Sequence, residues 1–220
     1  MRKIKPFSKL KSLFFPMRPI SNVFGFDRGT PIDRYYIDEF LEENAILVKG
    51  NVLEIGDNTY TKKYGGNKVS NSQVLHFTAE NSKADIIGDL ETGKGIPENY
   101  FDCFIMTQTL PFIFDFNSAY KNAVKALKKD GVLIITVPGI TQISKYDYDR
   151  WGHFWSFTDL SIKRIFTQFI PENQITIKTY GNVKSTAMFL YGFALRDVSK
   201  KYLKHKDSNY QLLITAIIKK

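Results

Sequence analysis

A segment in the second half of the chain combines three groups that can take a proton with several aromatic rings. Residues 146–155 read Tyr-Asp-Tyr-Asp-Arg-Trp-Gly-His-Phe-Trp. Asp147, Asp149 and His153 are candidate general bases, because a carboxylate or an imidazole removes a hydroxyl proton near neutral pH. Aromatic rings suit the apolar face of a sugar. Alternatively, the two tryptophans only brace a neighbouring helix. The candidate substrate contacts are Tyr146, Arg150, Trp151 and Trp155.

A second group of polar residues surrounds the end of an apolar run at 52–55. Glu54 stands inside that run, and Gly56 and Asp57 follow it. A carboxylate in a buried strand is costly unless it has hydrogen-bond partners, and a glycine lets the backbone turn tightly beside a ligand. The pattern predicts cofactor binding, although Glu54 could instead cap nearby amides. Asn58 and Thr59 replace the later glycines of a GxGxxG loop, which argues against a pyrophosphate cofactor such as NAD.

Two further runs also end in polar residues. Asp89 and Leu90 follow one of them, and the carboxylate could accept from an adenine amino group or cap the next turn. Thr107 and Gln108 follow another, where an inert core strand would continue apolar. The carboxyl ends of parallel strands share one edge of a sheet, and ligands bind there. These residues are therefore candidate contacts, although a turn uses the same residue types.

The elements that must position these residues follow from short apolar runs and helical spacing. The runs are rich in β-branched residues and do not alternate strictly, as expected for strands covered on both faces. Two of the segments with helical spacing begin at a threonine that can act as an N-cap, Thr30 or Thr158. At Thr158 the capping box is incomplete, because Ser161 stands where an acid is expected. The predicted strands are 52–55, 74–77, 84–87, 101–106, 132–137, 174–180 and 210–218, and the predicted helices are 31–44, 118–129, 158–169 and 184–198.

This order of elements predicts a doubly wound α/β fold, a Rossmann-like sheet of seven strands that is mostly parallel with an antiparallel C-terminal strand. Residues 1–25 are expected to form a basic irregular arm and residues 26–220 a single domain. The chain has one cysteine, and its three histidines show no metal-ligand spacing, so no metal site is predicted. No apolar run is long enough to span a membrane.

The net charge of +9 is concentrated at the two ends of the chain. Residues 1–20 contain six Lys or Arg and no acid, and residues 196–220 contain seven against two acids. The body between them is close to neutral, which argues against a nucleic-acid-binding face. The basic arm could instead rest on an anionic membrane surface, or it could simply keep the protein in solution.

Two sets of segments resemble known proteins. Four segments are similar to the successive motifs of class I S-adenosyl-L-methionine (SAM)-dependent methyltransferases of type 11: Leu53–Asp57, Gly88–Leu90, Phe101–Met106 and Lys128–Leu133. Four others resemble a bacterial branch whose members often occur beside, or fused to, glycosyltransferases of surface-polysaccharide assembly: Arg28–Tyr36, Tyr64–Gly66, Thr107–Thr109 and Arg150–Thr158.

The resemblance implies SAM as the cofactor and gives roles to the candidate residues. Glu54, Gly56 and Asp57 would line its methionine end, with Arg34 and Tyr35 closing over the carboxylate. The remaining contacts would be Asp89 and Leu90 at the adenine and Thr107 and Gln108 under the sulfonium.

The chain departs from the superfamily pattern at the end of the second strand. That strand ends in His76 and Phe77, where the family usually places an acid for the ribose hydroxyls. The nearest acid is Glu80, so either Glu80 reaches the ribose or the ribose is held differently.

The function predicted from these residues is O-methylation of a carbohydrate or a carrier-linked glycan in surface-polysaccharide biosynthesis. The expected location is cytoplasmic, with contact to glycosyltransferases or to the membrane periphery. The alternative is a degenerate cofactor-binding or non-catalytic interaction domain. RNA or protein methylation is disfavoured, since no Asn/Asp-Pro-Pro-Tyr tetrapeptide follows the fourth strand.

Overall fold

Seven strands form one sheet in the computed structural model, which describes residues 16–220. The strands are β1 Gly50–Ile55, β2 Val69–His76, β3 Ile86–Ile87, β4 Phe101–Thr107, β5 Leu127–Pro138, β6 Ile175–Tyr180 and β7 Leu213–Lys219. Their order across the sheet is β3-β2-β1-β4-β5-β7-β6. Strands β1 to β5 are parallel, and β7 is antiparallel to both β5 and β6. The predicted doubly wound sheet with an antiparallel C-terminal strand is confirmed.

Helices cover both faces of this sheet. The α-helices are α1 Ile32–Glu43, α2 Phe116–Ala126, α3 Lys145–Tyr148, α4 Asp159–Phe166, α5 Val183–Leu190 and α6 Lys201–Lys204. A π-helical turn spans Thr61–Gly65. Short 3-10 turns occupy Phe26–Arg28, Ala45–Leu47, Gly66–Lys68, Leu110–Phe112, Glu172–Gln174 and Leu195–Asp197.

The lack of strict alternation in the strands follows from this double cover. In β4, Phe104 belongs to the core beneath α2 and α4, whereas Cys103 and Ile105 belong to the core beneath α1 and α5. All three side chains are fully buried. Each face therefore demands apolar residues, and a parallel strand between two helical layers carries a continuous apolar run.

The strand order reverses between β1 and β4, which are parallel neighbours with Glu54 opposite Ile105. From β1 the chain builds outward through β2 and β3, and from β4 it builds in the other direction through β5. A crevice opens beyond the carboxyl ends of the strands at such a reversal. The three groups of strand-end residues named above lie at this edge.

Several boundaries differ from the prediction. Helix α1 begins at Ile32 with Pro31 at the N-cap, so Thr30 does not cap it. Thr158 does cap α4, and the capping box is complete because the Ser161 hydroxyl replaces an acid and accepts from the Thr158 amide at 3.0 Å. Helix α5 stops at Leu190, well before residue 198, because the chain turns at Gly192 with φ +76°.

Strand β5 starts earlier than predicted, at Leu127, because this residue already pairs with Phe101 of β4. The predicted helix end at 127–129 is therefore strand, and α2 stops at Ala126. Tertiary pairing with β4 overrides the local helical pattern of the lysine-rich segment.

Part of the predicted N-terminal arm contacts the domain. The Ile20 amide donates to the Tyr191 carbonyl at 2.9 Å, and the Phe24 ring packs against Phe189 with centroids 5.7 Å apart. Residues 1–15 of the predicted arm lie outside the described residues. Among the helices of residues 16–220, none has the length and apolar character needed to cross a membrane.

Candidate active site

Two cavities of about 540 Å³ each open at the carboxyl edge of the sheet. The first, here called the β2 cavity, lies beyond β1, β2 and β4. Its lining includes Ile55, Gly56, His76, Phe77, Asp89 and Leu90. The volume is within the range of about 300–1,000 Å³ that is typical of small-molecule sites.

The second, called the β5 cavity, lies beyond β4 and β5 and against the first turn of α1. Its lining includes Phe24, Asp33, Arg34, Pro138, His153 and Phe189. The two cavities are adjacent, and the residues that line both are Thr107, Gln108, Phe112, Tyr146 and Asp147. The structure therefore places two chambers side by side, with a carboxylate at their junction.

The loop after β1 is organised by Glu54. This side chain is 2% exposed, and its carboxylate accepts from the Tyr60 amide at 3.1 Å, the Thr61 amide at 2.7 Å and the Thr61 hydroxyl at 2.6 Å. Burial raises its pKa, and the hydrogen bonds from Thr61 oppose that rise. Glu54 is not among the residues that line either cavity. It shapes the loop from within, as the capping alternative described.

Gly56 presents open backbone to the β2 cavity. Its φ is +80°, and a side chain built there would meet no atom within 4 Å. The conformation favours glycine and leaves room for a ligand beside the main chain. The Asn81 amide holds this turn by donating to the Gly56 carbonyl at 2.6 Å. Asp57 accepts from the Thr59 amide at 2.9 Å and lines neither of the two cavities.

At the end of β3, Asp89 and Leu90 line the β2 cavity. The Asp89 carboxylate also accepts from the Glu91 amide and the Thr92 hydroxyl, both at 2.8 Å, so it caps its own turn. At the end of β2, His76 and Phe77 line the cavity, whereas Glu80 is exposed and lines neither of the two cavities.

Gln108 carries backbone strain at the junction of the two cavities. Its φ is +51°, a left-handed conformation that L side chains rarely adopt. The Gln108 amide donates to the Thr136 carbonyl of β5 at 2.9 Å, which holds the turn. Such strain persists only where the surrounding structure enforces it, and it concentrates at functional sites. Sequence patterns carry no signal for it, because glutamine is not a turn residue.

The structure separates the three candidate bases. Asp147 lines both cavities, and its Oδ2 accepts from the Ser144 hydroxyl at 2.5 Å. Asp149 points to the outside, where it is exposed and forms an ion pair with Lys145. It is not among the lining residues of either cavity. Asp147 is therefore the carboxylate that can meet a ligand at the junction.

His153 lines the β5 cavity, but its geometry suits a donor. Its Nδ1 accepts from the Ser144 amide at 3.1 Å. The neutral ring then carries its proton on Nε2, which is buried without a partner in residues 16–220. Burial lowers the pKa of His153, which keeps the ring neutral. Its free nitrogen can donate to a ligand and has no lone pair to remove a proton, so the base prediction for His153 needs revision.

The aromatic candidates also divide. The Tyr146 ring lies at the junction of the cavities, and the Arg150 guanidinium stacks on it at 3.6 Å. Trp151 lines the β2 cavity, where it meets His76 and Phe77 edge to face. Trp155 is elsewhere: its Nε1 donates to the Phe114 carbonyl at 3.2 Å, and its ring packs on Phe116 of α2. Trp155 thus braces a helix.

The first turn of α1 brings Arg34 to the β5 cavity. Tyr35 does not line either of the two cavities and instead packs edge to face on Tyr36. Asp33 also lines the β5 cavity and was missed by the sequence reasoning. The sequence offered one indication of this: Asp33 directly precedes Arg34, which was already predicted to contact the cofactor.

Both a segment of the sequence and the fold of this chain are similar to known methyltransferases. Residues 49–135 match the family model described as a methyltransferase domain. A SAM-dependent methyltransferase from Archaeoglobus fulgidus has a TM-score of 0.55 at 12% identity, covering 85% of this chain and 94% of that chain. The fold is the class I methyltransferase fold. A SAM-dependent methyltransferase from Thermotoga maritima has a TM-score of 0.54 at 15% identity, covering 86% and 91% of the two chains.

A curated relative matches over a shorter region. "Probable polyketide synthase 10" from Dictyostelium discoideum is 22% identical over 93 residues, which are 42% of this chain and 4% of that protein. The chain therefore spans a small fraction of the length of this relative. The match over residues 49–135 and the SAM-dependent methyltransferases that share this fold support S-adenosyl-L-methionine, the predicted cofactor.

Proposed function

We propose that this protein is a SAM-dependent methyltransferase that O-methylates a carbohydrate or carrier-linked glycan. The observation that carries the proposal is the pair of adjacent cavities with Asp147 lining both. The β2 cavity can hold the adenosyl part of a methyl donor, and the β5 cavity can hold the acceptor beside the methionine part of the donor. A reaction between two bound molecules is accelerated mainly by holding them in contact and in the right orientation.

The residues of the β2 cavity fit the adenosyl part of the cofactor. Leu90 and Ile55 provide apolar surface and Trp151 an aromatic wall, while Gly56 leaves the backbone open. Such a lining suits a planar nucleobase, with Asp89 at the rim. When bound, SAM supplies a methyl group already activated by its sulfonium. The protein residues then need only align the acceptor oxygen, take its proton and exclude water.

Asp147 is the group that takes the proton in this proposal. The Ser144 side chain orients its carboxylate by donating to Oδ2, which leaves Oδ1 for the acceptor hydroxyl. Ser144 also donates its amide to His153, so one residue positions both the base and a neighbouring hydrogen-bond donor. A positioned general base contributes typically 10²- to 10⁴-fold to the rate.

The proposed acceptor class rests on the β5 cavity and on the resemblance to the polysaccharide-associated branch. Phe24, Phe112 and Tyr146 supply rings for the apolar face of a sugar, and His153 supplies a donor for its oxygens. Glycosyltransferases as partners and a peripheral membrane contact through the basic arm remain predictions.

Calorimetric titration of the purified protein with S-adenosylhomocysteine, the demethylated cofactor product, tests the proposal. We expect saturable binding with one site per chain, because the β2 cavity is preformed at the reversal of the strand order. Adenosine triphosphate serves as the control, since the loop after β1 has no GxGxxG pattern for phosphates. Absence of heat at high ligand concentration would refute the enzyme and favour a non-catalytic interaction domain.

The two tryptophans provide a matched pair for the cofactor cavity. Trp151→Ala should weaken S-adenosylhomocysteine binding about tenfold, because stacking of a nucleobase on an aromatic side chain contributes about 1–3 kcal/mol. Trp155→Ala should leave this affinity unchanged, since Trp155 lines neither cavity. It should lower the free energy of unfolding by about 0.5–3 kcal/mol, since its ring packs on Phe114 and on Phe116 of α2. Calorimetry and urea denaturation of both variants measure the two effects. If Trp155→Ala weakens binding and Trp151→Ala does not, the placement of the two rings is contradicted.

A further inference from the structure

Asp33 is a buried carboxylate with one oxygen that accepts no hydrogen bond from the described part of the chain. The residue is 8% exposed, and its Oδ1 is buried without a hydrogen-bond partner among residues 16–220. Its Oδ2 lies 3.7 Å from Nη1 of Arg34. Both side chains line the β5 cavity. An acidic residue in the first turn is favourable for α1, but that explains neither the burial nor the unused oxygen.

The missing partner carries a physical cost. A buried polar atom that makes no hydrogen bond costs about 1–3 kcal/mol, and a buried charge without a partner costs more. Burial raises the pKa of Asp33, and the positive charge of Arg34 together with the backbone amides of Arg34 and Asp33 opposes the rise only in part. A group in this condition at the wall of a cavity is best explained by a ligand that donates to it. A cationic donor is the strongest such partner.

The position of the pair specifies which part of a ligand meets it. Helix α1, which carries the pair, contacts the loop after β1: the Tyr64 hydroxyl and the Lys63 ammonium donate to Asp38 at 2.6 and 2.8 Å. Glu54 holds this loop by accepting from the Tyr60 amide. The Asp33–Arg34 pair therefore lies beside the loop of the proposed cofactor site, on the β5 side of the junction at Thr107.

We propose that Asp33 binds the α-ammonium group of the methionine part of the cofactor, while the neighbouring Arg34 binds its α-carboxylate. An α-amino acid carries these two opposite charges on one carbon, and adjacent residues of opposite charge complement it. The unused Oδ1 of Asp33 accepts from the ammonium, which supplies the missing hydrogen bond. The inference rests on the proposed function, because it assumes SAM as the ligand, and it adds a residue to which no role was assigned.

A binding cycle with two ligands and two proteins tests this inference by calorimetry. The ligands are S-adenosylhomocysteine and its deaminated analogue, which keeps the carboxylate and lacks the ammonium. The proteins are the unmodified chain and Asp33→Asn. We expect the unmodified chain to bind the deaminated analogue at least tenfold more weakly, and we expect this preference to disappear in Asp33→Asn. Such a cycle isolates the interaction between one residue and one ligand group.

Two controls make the cycle specific. Glu42→Gln removes a charge from the exposed side of α1 and should keep the full preference for the ammonium. 5′-Methylthioadenosine, which lacks the whole amino-acid part, should bind Asp33→Asn and the unmodified chain within twofold of each other. If Asp33→Asn does not fold, the comparison of the two ligands on the unmodified chain still decides: equal affinities overturn the inference.

The outcomes separate the two levels of the proposal. If the unmodified chain binds neither S-adenosylhomocysteine nor 5′-methylthioadenosine, the proposed function fails. If it binds both but the preference for the ammonium persists in Asp33→Asn, the role of Asp33 fails and the proposed function stands. If Asp33→Asn weakens the binding of S-adenosylhomocysteine and of 5′-methylthioadenosine equally, a specific contact with the ammonium is also refuted.

Discussion

Asp147→Asn should lower kcat for methyl transfer from SAM to a carbohydrate hydroxyl by about 10²- to 10⁴-fold, the contribution of a general base. The substitution keeps the shape of the side chain and an oxygen that can accept from Ser144, but an amide cannot take a proton. Affinity for S-adenosylhomocysteine should stay within twofold, because Asp147 only borders the β2 cavity at its junction with the β5 cavity. Product formation and calorimetry measure these two quantities separately.

Asp149→Asn is the matched control for this prediction. It makes the same chemical change two residues along the chain, on a side chain that is exposed and paired with Lys145. Its kcat should be unchanged, since Asp149 lines neither of the two cavities. Its stability should also change little, because a surface ion pair contributes only about 0–1 kcal/mol to stability. If Asp147→Asn and Asp149→Asn lose kcat to a similar extent, the loss comes from removing negative charge in residues 146–155. Asp147 would then not be a general base.

Glu54→Ala should cause the largest loss of stability among changes at the site. The substitution leaves the buried Thr61 amide and hydroxyl and the Tyr60 amide without their acceptor. Each unsatisfied buried group costs about 1–3 kcal/mol, so we expect a loss of about 2–5 kcal/mol in the free energy of unfolding. Affinity for S-adenosylhomocysteine should also fall at least tenfold, because the loop that follows Gly56 loses its anchor. Urea denaturation and calorimetry test both effects.

Two other variants define the specificity of that effect. Glu54→Gln keeps one carbonyl acceptor and should lose less stability than Glu54→Ala. Glu80→Ala removes an exposed acid that lines neither of the two cavities, and it should change stability by less than about 0.5 kcal/mol. If Glu54→Ala and Glu80→Ala unfold at the same urea concentration, Glu54 does not hold the loop.

Most strands, the ligand edge and the segments that contribute to it could be predicted from sequence. The buried runs of β1, β4 and β5 are strongly apolar, and each of the first two leads into polar residues. Boundaries were less predictable at Leu127, where pairing with β4 extends β5 into a helix-like lysine segment. A strand pairing is a long-range interaction, so no local pattern reports it.

Within each segment, the side chain that meets the cavity could not be read from residue type. Asp147 and Asp149 are both acids in one short segment, yet the turn of α3 directs one inward and the other to solvent. Trp151 faces the β2 cavity, whereas Trp155 braces α2. The direction of each side chain depends on backbone angles in a loop without periodicity.

The sequence by itself determined the α/β architecture and the sheet edge that carries the candidate ligand contacts, because apolar periodicity reports burial directly. The tertiary structure alone decided that Asp147 lies between two chambers, that His153 is a donor, and that Asp33 has an unused oxygen. These properties depend on contacts that only the fold creates: the Ser144 amide sets the tautomer of His153, and the packing around α1 buries Asp33. Hydrogen-bond partners and burial arise from packing, and residue type and spacing do not encode them.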